Sequence, residues 1–289
     1  MISVVFFGSF QQYSVQILKR LHENPGFKVL GVVTTPPRKG DRGMITTTAV
    51  HDHAQEKNLP LFPLEDLSTI PNISQPDFII VAGFGALIPD KWLSLPKVMP
   101  INFHPSLLPQ YAGRFPVEWA ILNGEETIGV SLIKMSSKFD KGDLITQVSQ
   151  PLLPSDTKET LYSSLYELGA DLIISTLPEI IAGNIAPLPQ SGTGFYARQL
   201  TKDDGFVDSK KLSDPEFAVV LDKKIRALLP WPGVWTFVYP KTGPKLTMKI
   251  FSFTKKNNTI ELEKVQIEGK KSTFWSEISS HYFLSDKKT

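Results

Sequence analysis

Apolar runs of strand length alternate with stretches of helical apolar spacing through the first two thirds of the chain. In such an alternation each helix carries the chain back across the sheet, so that neighbouring strands run parallel. The pattern therefore predicts an α/β fold with a mostly parallel sheet. We predict strands over residues 4–8, 28–34, 77–83, 98–103, 129–134 and 144–150, and helices over about 15–21, 47–57 and 157–181. Either Thr46 or Thr47 is expected to cap the second helix.

The alternation breaks into glycine, proline, serine and glutamine between residues 183 and 207, a composition typical of a linker. One helical stretch and several short alternating runs follow, at residues 215–228, 235–239, 246–253 and 259–267. Short alternating runs separated by turns predict a small antiparallel barrel. We therefore expect a first domain over residues 1–182, a linker over 183–207 and a second domain over 208–289.

The formal net charge of +2 is a cancellation between two parts of the chain. Residues 206–289 hold 15 Lys and Arg against 9 Asp and Glu, a balance of +6. The residues before them hold 16 basic against 20 acidic side chains, a balance of −4. Because Lys and Arg attract phosphate over long distances, this asymmetry predicts that the second domain binds a polyanion. A solvated, lysine-rich surface is the alternative hypothesis.

The sequence of 289 residues contains no cysteine. Disulfides, thiolate metal sites and cysteine nucleophiles are therefore excluded, which agrees with a reducing cytoplasm. Residues 1–8 are apolar, but no basic region precedes them, and the run is too short for a signal peptide or a membrane span. We expect a cytoplasmic protein that does not enter a membrane, in which any catalysis uses other side chains.

Asn102 and His104 stand where the predicted strand 98–103 ends. Open α/β sheets bind ligands beyond the carboxyl ends of their strands. Two residues apart in an extended chain, both side chains lie on one side and could donate hydrogen bonds to a carbonyl oxygen that gains negative charge. A nearby carboxylate would set the charge of the imidazole. Asp140 is our first candidate for that carboxylate, and Asp143 is the competitor.

A longer pattern surrounds the Asn-x-His pair. Asn102-x-His104 continues into Ser106-Leu107-Leu108-Pro109 and Gly113, and Asp140 follows within the pattern x-Asp-x-Gly. This pattern resembles the folate-dependent formyltransferases, which transfer a formyl group from 10-formyltetrahydrofolate to an amine. The resemblance implies a Rossmann-like catalytic domain in which Asn102, His104 and Asp140 are the catalytic residues, and it implies no metal.

The resemblance also implies a folate site. Ser106, Leu107, Leu108 and Pro109 match the segment that lines the folate in that family. Phe84, Gly85 and Ala86, after the predicted strand 77–83, match a loop beside the pterin ring. An ordinary tight turn is the alternative interpretation of that loop.

The second half of the chain resembles the family members that formylate methionyl-tRNA, whose C-terminal OB-like barrel contacts initiator tRNA. The resemblance is carried by residues 195–202, 225–233 and 265–271. It implies a tRNA partner in translation initiation, and we expect the chain to act as a monomer. The expected tRNA-binding residues are Arg38, Lys39, Arg42, Lys223, Lys224, Arg226, Lys270 and Lys271.

Two features depart from that pattern and keep alternatives open. The basic loop after the second strand is short, and Gln110 and Ala112 stand where basic residues are common. The run from Gly113 to Trp119 is also similar to relatives that formylate amino sugars on nucleotides. A nucleotide-sugar N-formyltransferase is therefore the first alternative, and a non-catalytic RNA-binding protein on the same fold is the second.

Overall fold

The computed structural model describes residues 1–39, 44–256 and 259–284. The chain divides into two compact units: Met1–Pro116, Thr127–Leu152 and Glu159–Ala197 form the first, and Val117–Glu126, Leu153–Lys158 and Arg198–Thr289 form the second. The strands are β1 Ile2–Gly8, β2 Phe27–Thr34, β3 Arg38–Lys39, β4 Ile45–Thr46, β5 Leu61–Pro63, β6 Phe78–Ala82, β7 Met99–His104, β8 Ala112–Gly113, β9 Thr127–Lys134, β10 Asp143–Pro151, β11 Tyr196–Ala197, β12 Val234–Pro240, β13 Leu246–Ile250, β14 Phe253–Lys256, β15 Thr259–Leu262, β16 Lys264–Ile267, β17 Thr273–Phe274 and β18 Tyr282–Phe283. The helices are α1 Tyr13–Glu23, α2 Ala49–Glu56, α3 Asp90–Leu93, α4 Pro116–Asn123, α5 Lys158–Ile181, α6 Phe217–Leu228 and α7 Trp275–Ile278.

The first unit is built on a seven-stranded sheet in the order β10-β9-β7-β6-β1-β2-β5. The five strands from β7 to β5 in that order run parallel. Strands β9 and β10 join antiparallel at the β7 edge. Every residue of β6 is buried, as expected for a strand covered on both faces. The predicted Rossmann-like, mostly parallel sheet is confirmed.

An apolar cluster packs against one part of this sheet and fixes its position. Phe7 and Ile79 come from neighbouring strands, and Trp92 of α3 lies edge-on to Phe7 at 5.0 Å between ring centroids. Trp92 is fully buried, and its indole N–H donates to the Leu67 carbonyl at 3.0 Å. A buried indole of this kind contributes area and satisfies its one polar atom, so the strand ends beside it are held rigidly.

The helix boundary at α2 differs from the sequence prediction. The expected caps were Thr46 or Thr47, but Thr48 is the N-cap, and its hydroxyl accepts a hydrogen bond from the His51 backbone N–H at 3.1 Å. Thr46 instead belongs to β4, which pairs with β3. The Thr47 hydroxyl donates to the Asp52 carboxylate. A backbone N–H of the first turn is therefore capped by Thr48, one residue later than predicted.

The second unit contains an antiparallel five-stranded sheet in the order β17-β16-β13-β12-β18. Alternate residues of β12 are buried, as the period-two pattern predicts. This half-barrel confirms the predicted small antiparallel β domain. The run predicted over 259–267 is, however, two strands, because β15 pairs with β14 in a separate hairpin and β16 joins β13. The run predicted over 246–253 likewise ends at Ile250, and β14 begins at Phe253.

α5, with 24 residues, is the longest helix in the described part of the chain. It contains Pro178 inside its last turns, and residues such as Leu165 and Ile173 are fully buried. Across the described residues, no helix combines the length and the apolar character that a bilayer crossing needs.

Candidate active site

Asn102 and His104 lie on β7 at the carboxyl edge of the parallel sheet. Asn102 is half-buried, and His104 is 5% exposed. Since β7 pairs with β6 on one side and β9 on the other, the sheet fixes the backbone that carries both side chains. The period-two prediction that both residues serve the same edge agrees with this placement.

Asp140 lies in the turn between β9 and β10, which brings it back to the end of β7. One carboxylate oxygen, Oδ1, is 3.5 Å from Asn102 Nδ2 and 3.5 Å from His104 Nδ1. The structure thus brings together the three residues that the pattern singled out. Asp143 begins β10 and pairs in register with Lys134, so Asp140 is the carboxylate at this site.

The His104 ring is held at both nitrogens. Nε2 lies 3.0 Å from the Tyr111 carbonyl oxygen, and because a carbonyl only accepts, Nε2 carries a hydrogen. Nδ1 then faces Oδ1 of Asp140. Without a hydrogen on Nδ1, the lone pairs of the two atoms repel each other; with a hydrogen there, Nδ1 donates to Oδ1. The separation of 3.5 Å is longer than a good charge-assisted hydrogen bond, so this contact can be exchanged for another acceptor at little cost.

The second oxygen of Asp140 is anchored by backbone. The Gly113 N–H donates to Oδ2 at 3.0 Å. Gly113 has φ 125°, and a Cβ there would lie 2.3 Å from the Ala197 carbonyl oxygen, so only glycine fits. The sequence does not mark the Gly113 amide or the Tyr111 carbonyl as functional groups, because both are backbone atoms, and only the glycine at position 113 is visible as a residue type.

The predicted folate segment, Ser106 to Pro109, forms a fixed loop after β7. Ser106 donates to the Gln110 carbonyl at 2.6 Å, and Ser131 donates to the Ser106 carbonyl at 2.6 Å. The Leu108 N–H in turn donates to Ser131 Oγ at 3.0 Å. Leu108 packs against Ala112 and Ile133. These hydrogen bonds and apolar contacts hold the loop in place, so it presents a preorganised wall beside His104.

The second predicted folate segment, Phe84 to Ala86, follows β6 at the same edge. Phe84 is buried and lies edge-on to Phe7 at 5.3 Å between centroids. Gly85 has φ 79°, and a Cβ there would meet no atom within 4 Å. Gly85 and Ala86 are exposed. An anchored aromatic residue followed by exposed backbone fits a surface for a flat ring, and the tight-turn alternative accounts for Gly85 equally well.

Six of the eight predicted tRNA-binding cations fall into two groups. Arg38, Lys39 and Lys271 are exposed, whereas the side chains of Lys224, Arg226 and Lys270 bind their own unit. Lys224 Nζ donates to the Asp204 carbonyl, and burial lowers the pKa of Lys224. Arg226 pairs with Asp222 at 2.7 Å and also donates to the Asp156 carbonyl; Lys270 donates to the Tyr282 hydroxyl at 2.8 Å. Lys223 lies against Gly124, and Arg42 is outside the described residues.

In the part of the chain that the structure describes, no group of three or more His, Asp or Glu residues is placed to hold a metal ion. The polar residues at the sheet edge form a hydrogen-bonding site. Its chemistry is that of donors and one carboxylate around a point where a carbonyl oxygen could lie.

Comparison with known proteins gives one family. Residues 1–177 match the family model described as formyl transferase. A methionyl-tRNA formyltransferase of Latilactobacillus sakei is 39% identical over 245 residues, covering 82% of this chain and 75% of that protein.

Two solved structures share the fold. An N-formyltransferase of Helicobacter canadensis, solved with folinic acid and dTDP-3-aminofucose, has a TM-score of 0.61 at 21% identity, covering 89% of each chain. A methionyl-tRNA formyltransferase of Clostridium thermocellum has a TM-score of 0.57 at 16% identity, covering 92% of this chain and 99% of that one. At these identities the likeness concerns the fold alone.

Proposed function

The chain belongs to the formyl transferase family and, within it, to the methionyl-tRNA formyltransferases, and we infer that it formylates the amino group of methionyl-tRNA in translation initiation. The observation that carries this inference is the grouping of Asn102, His104 and Asp140 at the sheet edge. A substrate of this kind supports a cytoplasmic location. Sugar N-formyltransferases share the fold at low identity, whereas the relatives most similar in sequence act on tRNA.

We propose 10-formyltetrahydrofolate as the formyl donor, which supplies the one-carbon group in an activated form. Two features of this chain fit a folate: the fixed loop from Ser106 to Pro109, and the exposed backbone of Gly85 and Ala86 beside the buried Phe84. Pockets for such ligands are mostly apolar with a few placed polar groups. Leu107, Leu108 and Pro109 would supply the apolar wall, and backbone groups of the two segments would hold the polar edge of the ring.

Asn102 and His104 would stabilise the formyl oxygen as the amine attacks the formyl carbon. Attack turns that oxygen into an oxyanion, and donors aimed at it lower the barrier by about 3–4 kcal/mol each. Asn102 Nδ2 and His104 Nδ1 both converge on Asp140 Oδ1 at 3.5 Å. Because these contacts are long, both N–H groups could donate instead to an oxyanion placed between them, at little cost.

Asp140 would act as the general acid–base group of the transfer. The attacking amine has to lose a proton, and the leaving nitrogen of the folate has to gain one. Asp140 can accept a proton directly or through water while it keeps His104 oriented. The Gly113 N–H, at 3.0 Å from Oδ2, keeps the carboxylate in place during this exchange. The reaction needs no covalent intermediate with the enzyme.

The tRNA would be attracted mainly by the basic second unit and by the exposed cations of β3. Arg38, Lys39 and Lys271 are the strongest candidates for direct phosphate contacts, since their side chains are exposed. Weaker candidates for direct phosphate contacts are Lys224, Arg226 and Lys270, because their side chains already bind groups of their own unit.

The first experiment measures which acceptor is formylated. Purified protein is incubated with 10-formyltetrahydrofolate and, in parallel, with methionyl-tRNA or an amino-sugar nucleotide. Formyl transfer to methionyl-tRNA is expected. Transfer to the sugar alone would replace the proposed substrate, and transfer to neither would favour an RNA-binding protein without catalysis.

The second experiment tests the catalytic residues. We expect Asn102→Ala, His104→Ala and Asp140→Ala each to lower kcat by about 10²–10⁴-fold, with melting temperatures near that of the wild type. Asp143→Ala, on the neighbouring carboxylate, should retain most of the activity. Near-normal rates in all three catalytic variants would remove the assignment.

A further inference from the structure

Gln190 lies in the segment that the sequence pattern identified as a linker, 50 residues from Asp140. The segment is fastened to the sheet two residues earlier. Leu188 forms an antiparallel bridge with Leu144, with backbone hydrogen bonds of 2.7 and 2.8 Å. Gln190 therefore reaches the turn before β10 from a fixed point of the first unit.

The Gln190 side chain closes the Asp140 turn from outside. Its Nε2 donates to the carbonyl oxygen of Asp140 at 2.9 Å and to that of Gly142 at 2.7 Å. Both neighbours only accept, so the amide orientation is fixed by chemistry: with the oxygen in that position, three acceptors would face one another. Gln190 Oε1 is left buried without a hydrogen-bond partner among the described residues.

The turn needs such support because its backbone is strained. Asp140 has φ 53°, a left-handed conformation that costs free energy for any residue with a Cβ and persists only where the surroundings enforce it. Gly142 approaches β9 so closely that a Cβ there would lie 1.8 Å from the Lys134 carbonyl oxygen. One of the two carbonyls that Gln190 binds belongs to the peptide directly after the Asp140 Cα, and the other lies at the point where the same turn meets β9.

The same segment also holds the other side of the site. The Tyr111 N–H donates to the Phe195 carbonyl at 2.8 Å, and the Phe195 N–H donates to Gln110 Oε1 at 2.8 Å. Tyr111 supplies the carbonyl that binds His104 Nε2. Residues 188–197 therefore connect the Asp140 turn with the loop that orients His104.

We propose that Gln190 is a positioning residue for the formyl transfer: by holding the carbonyls of Asp140 and Gly142 it keeps the Asp140 carboxylate against Asn102 and His104. This inference rests on the proposed function. Gln190 acts through Asp140 and touches neither substrate. Its removal therefore lowers the rate of the chemical step and leaves the binding of both substrates nearly unchanged.

The kinetic test compares two glutamines that both donate to backbone carbonyls. Gln190→Met keeps the length of the side chain and removes both donors; Gln75→Met removes a donor to the Leu95 carbonyl at 3.0 Å, away from the site. We expect Gln190→Met to lower kcat about 10- to 100-fold with both KM values within about threefold, and Gln75→Met to change neither. An unchanged kcat in Gln190→Met, or an equal loss in Gln75→Met, would overturn the inference.

A double-mutant cycle separates positioning from general stability. If Gln190 acts only through Asp140, Gln190→Met should cause no further loss of rate in an Asp140→Ala background. Independent losses that multiply would contradict the proposal.

Gln190→Glu provides a second variant. Its carboxylate would face two carbonyl oxygens, and the ratio of its rate to the wild-type rate should rise as the carboxyl is protonated at lower pH.

A spectroscopic readout separates this inference from the proposed function. The Gly113 N–H donates to Asp140 Oδ2, so the NMR shift of its amide proton reports the position of the carboxylate whether or not the protein formylates tRNA. In Gln190→Met this resonance should move toward its position in Asp140→Ala, and in Gln75→Met it should stay. If the Gly113 resonance does not move in Gln190→Met, the positioning role is contradicted, even if the formylation assay succeeds.

Discussion

Single backbone positions decide whether the Asp140 carboxylate reaches the site. Asp140 and Tyr111 both adopt positive φ, 53° and 58°, and each supplies one of the two groups that face the His104 ring. Strained positions of this kind cluster where function requires a fixed geometry. At the residue scale, the site is therefore held as much by backbone conformation as by side-chain identity.

Gly142 gives the sharpest prediction at this scale. In Gly142→Ala the new Cβ would lie 1.8 Å from the Lys134 carbonyl oxygen, so the turn has to move away from β9. We expect the free energy of unfolding to fall by about 1–3 kcal/mol and kcat to fall at least about tenfold, measured by urea denaturation and by formyl transfer.

Gly26→Ala is the matched control for this variant. A Cβ on Gly26 meets only the flexible side chain of Asn24, at 3.1 Å. Stability and kcat should both stay near the wild-type values. If Gly142→Ala behaved like this control, the turn would be far more adaptable than its geometry indicates.

At the scale of elements, a periodic pattern identified most helices and strands within a few residues of their observed ends. The errors have local causes. Residues 259–267 alternate apolar and polar side chains, but the phase of the alternation shifts by one residue between Leu262 and Val265. The chain changes sheets there, at Glu263, whose carbonyl accepts from the Trp275 N–H. Periodicity describes which face is buried and carries no information about which strand is the partner.

A short element of the second unit provides a pH prediction. Asp204 closes a turn at residues 202–205 and pairs with Arg198 at 2.5 Å. Arg198 in turn lies over the Trp119 ring at 4.7 Å. The hydrogen bond from Arg198 is the main reason that the pKa of Asp204 falls from its ordinary 3.8 to about 2. A lowered carboxyl pKa means that ionised Asp204 stabilises the folded protein above pH 3.8, and that this stability is lost as the pH falls toward 2.

Asp204→Asn should therefore be less stable than the wild type at pH 7, by about 1 kcal/mol because Arg198 is half exposed to solvent. The difference should shrink as the pH is lowered from 4 toward 2, which urea denaturation at several pH values would reveal. Asp203→Asn, at the exposed neighbouring position, should show no such pH-dependent difference. A gap between Asp204→Asn and wild type that stayed constant down to pH 2 would contradict the assigned role of the pair.

At the scale of the whole molecule, the charge is divided by sequence position. Residues 206–289 carry a balance of +6 and the rest −4. A tRNA carries its charge on the phosphate backbone, whereas a folate is a small ligand with few charges. The two substrates should therefore respond very differently to salt.

We expect KM for methionyl-tRNA to rise at least about tenfold between 50 and 200 mM salt, and KM for the folate donor to change by less than about twofold. Lys271→Ala should reduce the slope of log KM for methionyl-tRNA against log salt concentration by about one unit, since Lys271 is exposed. Lys224→Ala, whose ammonium binds the Asp204 carbonyl, should leave the slope nearly unchanged and affect stability instead. A tRNA KM insensitive to salt would mean that the basic unit does not bind the tRNA backbone.

The sequence by itself determined the fold class, the placement of Asn102 and His104 on one strand end, and the separation of charge. These three properties follow from the spacing of apolar residues and from composition, both of which can be read directly along the sequence. Tertiary structure alone decided that Asp140 rather than Asp143 meets the pair, and that Gln190, 50 residues away, clamps the Asp140 turn. It also decided which lysines are exposed. Such contacts join residues that are distant in sequence, and their geometry arises from turns and packing that no local pattern records.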